Sequence, residues 1–263
     1  MAALKFIQHS WFDSEKNLAF SLPKFIGHRG AAGYAPENTL ASIHQAAHLG
    51  IRWVEFDVRL TCDGELVLFH DSSLERTTNG RGLLAGRCLK SLKTLDAGSW
   101  FGSDFTGESI PTLNQALSAA RELDLGCNIE IKSSFGRERE TVCAVTRTVA
   151  NFPKSPPMLV SSFCHKTLQM LKYNLPEVPR ALIVHEIPAN WQLLIKQLQC
   201  SSLHVSEESL NQRQVRMVQS TGIKLLAFTI NDRKRAESLF AMGVPSIFTD
   251  VPGTIFAPMS MTD

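Results

Sequence analysis

One recurrence narrows the fold of this chain more than any other feature: four times, a helical stretch ends at a glycine and an extended apolar run follows within a few residues. The four are His48-Leu49-Gly50 before Arg52 to Val58, Asp124-Leu125-Gly126 before Asn128 to Ile131, Ser220-Thr221-Gly222 before Lys224 to Ile230, and Ala241-Met242-Gly243 before Ser246 to Phe248. Glycine just past a helix accepts the left-handed backbone that turns the chain into the next strand, so the pattern marks repeated βα units. Extending it predicts strands near Lys24 to Gly27, Trp53 to Val58, Asn128 to Lys132, Met158 to Phe163, Arg180 to Val184, Leu203 to Ser206, Leu225 to Ile230 and Ser246 to Thr249. Helices fill the gaps between them. The first is well marked: Asn38 or Thr39 caps it, Leu40, Ile43, Ala46 and Ala47 line one face, and Gly50 ends it.

Strands alternating with helices imply an α/β protein with a parallel sheet, and eight such units suit a closed (β/α)8 TIM-type barrel, which needs roughly 250 residues. A chain of 263 residues with 44% hydrophobic side chains has the length and the apolar material for one such domain spanning 1–263. Two segments break the alternation. Only Thr61-Cys62-Asp63-Gly64 separates the second strand from the run Glu65 to Phe69, far too few residues for a parallel crossover, so the two must form an antiparallel β-hairpin arm. A turn centred on Asp63-Gly64 pairs Leu60 with Val67 and Arg59 with Leu68, and sets His70 opposite Asp57. From Ser72 to Thr112 the chain is rich in Gly, Ser and Thr without clear periodicity, which reads as an insertion at the barrel's C-terminal mouth, ahead of a helix starting near Thr112-Leu113. Its Trp100, Phe101 and Phe105 read as a small satellite core under a long loop, or else as an apolar entrance for a lipid substrate.

Lys and Arg exceed Asp and Glu by two, so no global field draws the chain to nucleic acid or to an anionic membrane, and an anionic ligand must be held locally. The six cysteines are dispersed without a zinc spacing and read as reduced, mostly buried thiols. Met1 to Phe20 carries too many polar residues for a signal peptide, and no later apolar run nears the ~20 residues of a transmembrane helix. A cytoplasmic protein without stable membrane insertion is expected.

The chemistry concentrates in a few places. His28 and Arg29, in Gly27-His28-Arg29-Gly30, follow the end of the first strand, with glycines that permit close approach of backbone and ligand. Glu55 and Asp57 alternate with Val54, Phe56 and Val58, so both carboxylates point into the barrel. Two acids there need a counter-charge, and a hard divalent ion, Mg²⁺ or Ca²⁺, supplies one. Glu130 and Lys132 repeat the alternation between Ile129 and Ile131: Glu130 completes a three-carboxylate site and Lys132 offers a cation to a phosphoryl oxygen, or the two form an ion pair in the barrel floor. His70 ends the hairpin arm beside these acids, and two histidines flanking one ligand can serve as base and acid. His9, His44, His48, His165, His185 and His204 lack such company and read as surface or core residues. Asn231-Asp232 and Thr249-Asp250 stand at strand-to-loop junctions framing the mouth, although Thr249-Asp250 can equally cap the last turn. Pro36-Glu37-Asn38-Thr39 reads mainly as helix initiation, with Glu37 or Asn38 free to bond to neighbouring loops.

In order and spacing, His28-Arg29-Gly30, Pro36-Glu37-Asn38-Thr39, Glu55-Phe56-Asp57, Asp63-Gly64, His70-Asp71, Arg76-Thr77-Thr78, Glu130-Ile131-Lys132 and Thr249-Asp250 resemble the glycerophosphodiester phosphodiesterase family, across nearly the whole chain after Leu22. The resemblance implies a hydrolase that converts a small-molecule glycerophosphodiester to glycerol 3-phosphate and an alcohol. It also implies Glu55, Asp57 and Glu130 as ligands of one divalent cation, His28 and His70 as the two catalytic histidines, and Arg29 and Lys132 as phosphate-contacting cations. The attacking group it allows is water or the neighbouring glycerol hydroxyl. Phe228 departs from the tryptophan of many relatives, which bears on head-group preference. Two alternatives stand beside this reading: lysophospholipase D-like or phospholipase C-like action on a lipid phosphodiester, and a non-catalytic ligand-binding barrel.

Overall fold

The computed structural model describes residues 22–256; the N-terminal stretch weighed above as a signal peptide, with His9, lies outside the described residues. The strands are β1 (Phe25–Gly27), β2 (Trp53–Leu60), β3 (Leu66–Leu68), β4 (Gly126–Ile131), β5 (Met158–Ser162), β6 (Arg180–Val184), β7 (Ser202–Ser206), β8 (Lys224–Phe228) and β9 (Ser246–Thr249). The helices are α1 (Leu40–His48), α2 (Leu89–Leu92), α3 (Leu113–Glu122), α4 (Glu138–Asn151), α5 (His165–Asn174), α6 (Trp191–Leu198), α7 (Gln212–Gln219), α8 (Arg233–Met242) and α9 (Pro252–Phe256). Eight strands pair in parallel in the order β1-β9-β8-β7-β6-β5-β4-β2, and β1 pairs with β2 to close the barrel. Only β3 is antiparallel, lying along β2 as an arm.

Period-two alternation sorts the strand side chains into two cores. Val54, Phe56, Val58, Ile129 and Ile131 point outward and pack against the helices, while Ile26, Trp53, Leu159, Ala181, Leu226 and Phe248 fill the barrel's interior. α1 starts where Thr39 accepts the Ser42 amide at 3.2 Å and Ser42 answers at 3.3 Å, a reciprocal cap, and Gly50 beyond its end has φ +80.

Four expectations change. The hairpin is paired one residue away from the expected register, Leu60 with Leu66 and Arg59 with Val67. Thr61 and Glu65 close a three-residue loop, Cys62-Asp63-Gly64, with Gly64 at φ +83, so Phe69 rather than His70 bonds to Asp57, its amide reaching the Asp57 carbonyl at 3.0 Å. The insertion's own core is Val67, Phe69, Leu74, Leu84, Leu92, Ala97 and Ile110, whereas Trp100, Phe101 and Phe105 form an edge-to-face ladder at its surface with Trp100 41% exposed. Of the six free cysteines only Cys127 and Cys200 are buried. The glycine after His28-Arg29 admits α1, not a ligand: Gly30 has φ +88, and a Cβ there would sit 2.4 Å from the Ser42 hydroxyl.

Candidate active site

The site is assembled from the C-terminal ends of neighbouring strands. Parallel pairing of β2 with β4 sets Asp57 beside Glu130 in register, and alternation along β2 brings Glu55 to the same inner face. The three carboxylates offer oxygens within 4.8 Å of one another, with Glu55 and Asp57 almost fully buried. Burial, reinforced by the charges of Asp57 and Glu130, pushes the Glu55 carboxyl well up; burial and Asp57 push Glu130 up as well. Asp57 moves the other way, because Lys132, Arg29 and His70, with a bond from Asn38, outweigh its burial.

Two residues with left-handed backbone hold these acids. Arg29 (φ +51) donates its amide to Glu55 Oε2 at 2.9 Å. Asn38 (φ +56) is not the helix cap; its side chain donates to Asp57 Oδ2 at 2.8 Å and accepts the Asp57 amide at 3.0 Å. Non-glycine residues reach this region only against steric resistance, so the surrounding bonds must hold them there. The Arg29 guanidinium lies 3.3 Å from Asp57 and 2.8 Å from Glu37, and the Lys132 ammonium lies 3.2 Å from Asp57 and bonds to Glu130.

An imidazole stands on each flank. His28 Nδ1 meets Asp250 Oδ1 at 2.7 Å, leaving Nε2 3.9 Å from Glu55. Asp250 is itself held by Asn231, which donates to its Oδ2 at 2.6 Å and accepts its amide at 2.9 Å. His70 Nδ1 meets Asp71 Oδ1 at 2.6 Å. A carboxylate bonded to Nδ1 orients each ring and leaves Nε2 as its other functional nitrogen, so both flanks carry the same arrangement. Burial lowers the proton affinity of His70; Asp57 opposes this, and Arg29 and Lys132 add to it.

All seven residues singled out from the sequence, His28, Arg29, Glu55, Asp57, His70, Glu130 and Lys132, therefore converge. Sequence reasoning missed Asp250 and Asn231 as supports of His28 and Asp71 as that of His70; Glu37 and Asn38, expected to bond to neighbouring loops, hold Arg29 and Asp57. Most stand within or next to the motifs already noted, and their polar side chains at strand-to-loop junctions were the available signal. Opposite the acids, Phe163 and His185 stack at 4.9 Å, and Phe228 meets them edge-on at 6.2 and 6.4 Å. His185 is thus exposed, as expected, but it is also part of the mouth.

The model of the glycerophosphoryl diester phosphodiesterase family matches residues 28–254. The chain belongs to that family. It is therefore an enzyme, a phosphoric diester hydrolase. A glycerophosphodiester phosphodiesterase of Caldanaerobacter subterraneus subsp. tengcongensis is 34% identical over 235 residues, spanning 88% of this chain and 95% of the relative. Among solved structures, an Oleispira antarctica phosphodiesterase in complex with its product sn-glycerol-3-phosphate is 43% identical with a TM-score of 0.87, covering 89% of this chain and 95% of that one. A glycerophosphodiester phosphodiesterase from Agrobacterium tumefaciens is 27% identical with a TM-score of 0.73, covering 89% and 99%.

Proposed function

We propose that this family member hydrolyses glycerophosphodiesters to glycerol 3-phosphate and an alcohol, with His28 and His70 dividing the roles of base and acid. The observation that carries the reading is the pair of imidazoles, each backed by an aspartate on Nδ1, on either side of the acidic cluster. One Nε2 accepts the proton of the attacking water, or of the glycerol hydroxyl on a route through a cyclic phosphate that a water then opens, while the other ring, protonated, delivers a proton to the departing alcohol oxygen. Arg29 and Lys132 offset charge gathering on the phosphoryl oxygens. The alcohol lies against Phe163, His185 and Phe228.

Glu55, Asp57 and Glu130 fit a divalent cation. Three acids share one inner face, and Glu55 Oε1 is buried without a hydrogen-bond partner. An all-oxygen donor set suits Mg²⁺ or Ca²⁺. When bound, such an ion supplies a Lewis-acidic charge to a phosphoryl oxygen. The chain acts through a single barrel domain with its insertion at 72–112, in the cytoplasm, serving glycerol and lipid metabolism.

A second reading, action on a lipid phosphodiester, draws on Phe163, 38% exposed at the mouth, and on Phe135, fully exposed in the loop after Lys132. Among the described residues no helix is long and apolar enough to cross a membrane. Release of glycerol 3-phosphate from a panel of glycerophosphodiesters, with EDTA and metal add-back, tests the main reading; activity confined to lysophosphatidylcholine would replace it with the second.

A further inference from the structure

The supports of His70 and Arg29 are joined by one side chain that the mechanism above does not use. Arg76, in the insertion, directs Nε and Nη2 at the two oxygens of Asp71 (2.7 and 3.0 Å) and Nη1 and Nη2 at the two oxygens of Glu37 (both 2.7 Å). Asp71 holds His70, and Glu37 holds Arg29. We infer that Arg76, by forking onto both carboxylates, is a positioning residue that sets His70 and Arg29 together. The inference rests on the roles given to those two residues in the proposed function.

Several observations separate this arrangement from an ordinary surface ion pair. Exposed pairs contribute little to stability, and Arg76, 45% exposed, would be one of them if its acids served nothing else. Arg137, at the start of α4, bonds the exposed Glu140 and the Thr61 carbonyl, and neither of these holds a site residue. Both acids on Arg76, by contrast, are spent a second time on a site residue. A carboxylate gripped at both oxygens by a planar guanidinium has its plane fixed, so its remaining bond is aimed. The bond from Arg76, followed by that from His70, holds the Asp71 carboxyl down to about 2, so it stays ionised and keeps the proton of His70 on Nδ1. Arg76 also crosses a boundary between cores: Asp71 stands at the end of the hairpin arm, where the insertion begins, and Glu37 in the β1–α1 loop. Without this link the insertion side and the barrel side of the site lose a common reference. Lysine cannot replace it, because an ammonium is a point charge that does not present two forks.

The test compares the parent with Arg76→Ala, Arg76→Lys, Asp71→Asn and Glu37→Gln, and with Arg137→Ala as a control for a lost surface pair. Steady-state release of glycerol 3-phosphate is read alongside thermal stability and the ¹⁵N spectrum of the His70 imidazole. Removing Arg76 should lower kcat and raise KM together, each on the order of tenfold, because both the imidazole and the guanidinium are misaimed. Asp71→Asn should act chiefly on kcat and Glu37→Gln chiefly on KM. Adding Asp71→Asn to Arg76→Ala should lower kcat little further, since both remove one device. Arg76→Lys should resemble Arg76→Ala, methylguanidinium should restore part of kcat to Arg76→Ala, and thermal stability should fall no more than in Arg137→Ala. The His70 ring should be a single Nδ1-protonated tautomer in the parent and a mixture in Arg76→Ala. Unchanged kcat, KM and imidazole spectrum in Arg76→Ala, or parent-like kinetics in Arg76→Lys, would overturn the inference. A parent that releases no glycerol 3-phosphate sinks the functional reading instead, and the imidazole spectrum still decides whether Arg76 positions His70.

Discussion

On the side of the mouth built from β1, β2, β4 and β9, ionisable groups meet in pairs: His28 with Asp250, Arg29 and Lys132 with Asp57, Glu130 with Lys132. Across from it β5, β6 and β8 bring Phe163, His185 and Phe228, and deeper on that side β7 carries His204, which meets the uncharged Ser202 hydroxyl at 3.3 Å and the Phe248 ring at 5.0 Å. The histidines show what the difference does. His204 has no charge nearby, so burial alone drives it down to about 3 and keeps it neutral. His70 is only half-buried, and there Asp57 pulls against the lowering that burial causes. Burial without partners makes an imidazole inert; burial among opposed charges keeps it within reach of a proton.

The contrast can be broken at its strongest point first. Replacing His70 or His28 with alanine should cut turnover by on the order of 10²–10⁴ if both move protons, read as kcat for glycerol 3-phosphate release; unchanged kcat in His70→Ala removes the arm from the chemistry. Asp250→Asn leaves His28 in place but takes away the charge on its Nδ1. A fall of about 10–100-fold in kcat is expected, and full activity would make Asp250 a cap of the last turn and nothing more.

On the uncharged side, His204 should surface in stability rather than in rate. Its folded pKa of about 3 lies below the unfolded value of about 6.5, so the unfolded chain takes up a proton first as pH falls. Stability is therefore complete above pH ~6.5 and drains away toward pH ~3, with about 2 kcal/mol lost by pH 5. Denaturant unfolding at pH 7 and pH 5 should show His204→Asn losing less than the parent by that amount; equal losses would mean the ring is not held neutral. The smallest effect sharpens the role of the aromatic side: Phe228→Trp should shift the ratio of kcat/KM between choline and glycerol head groups by about tenfold or less. A ratio that does not move would detach Phe228 from head-group choice.

Much of the site was legible because its geometry is local. Alternation in Val54-Glu55-Phe56-Asp57-Val58 and Asn128-Ile129-Glu130-Ile131 dictates which side chains share a face, and the packing of the apolar members on the helices aims the acids inward. The position of His28 and Arg29 just past a strand was equally local. The hairpin register was not, because a turn of two residues and one of three fit the same four letters, and the bonds of Thr61 with Glu65 chose between them.

The sequence by itself determined that repeated βα units build an α/β barrel, and which acids and imidazoles stand at its strand ends, since helix caps and period-two alternation act over a few residues. Only the tertiary structure decided which carboxylate backs which imidazole. His28 and Asp250 are 222 residues apart, and they meet because β1 pairs with β9 when the barrel closes. The two forks of Arg76 likewise exist only once the insertion has docked over the β1–α1 loop, a contact that no spacing along the chain encodes.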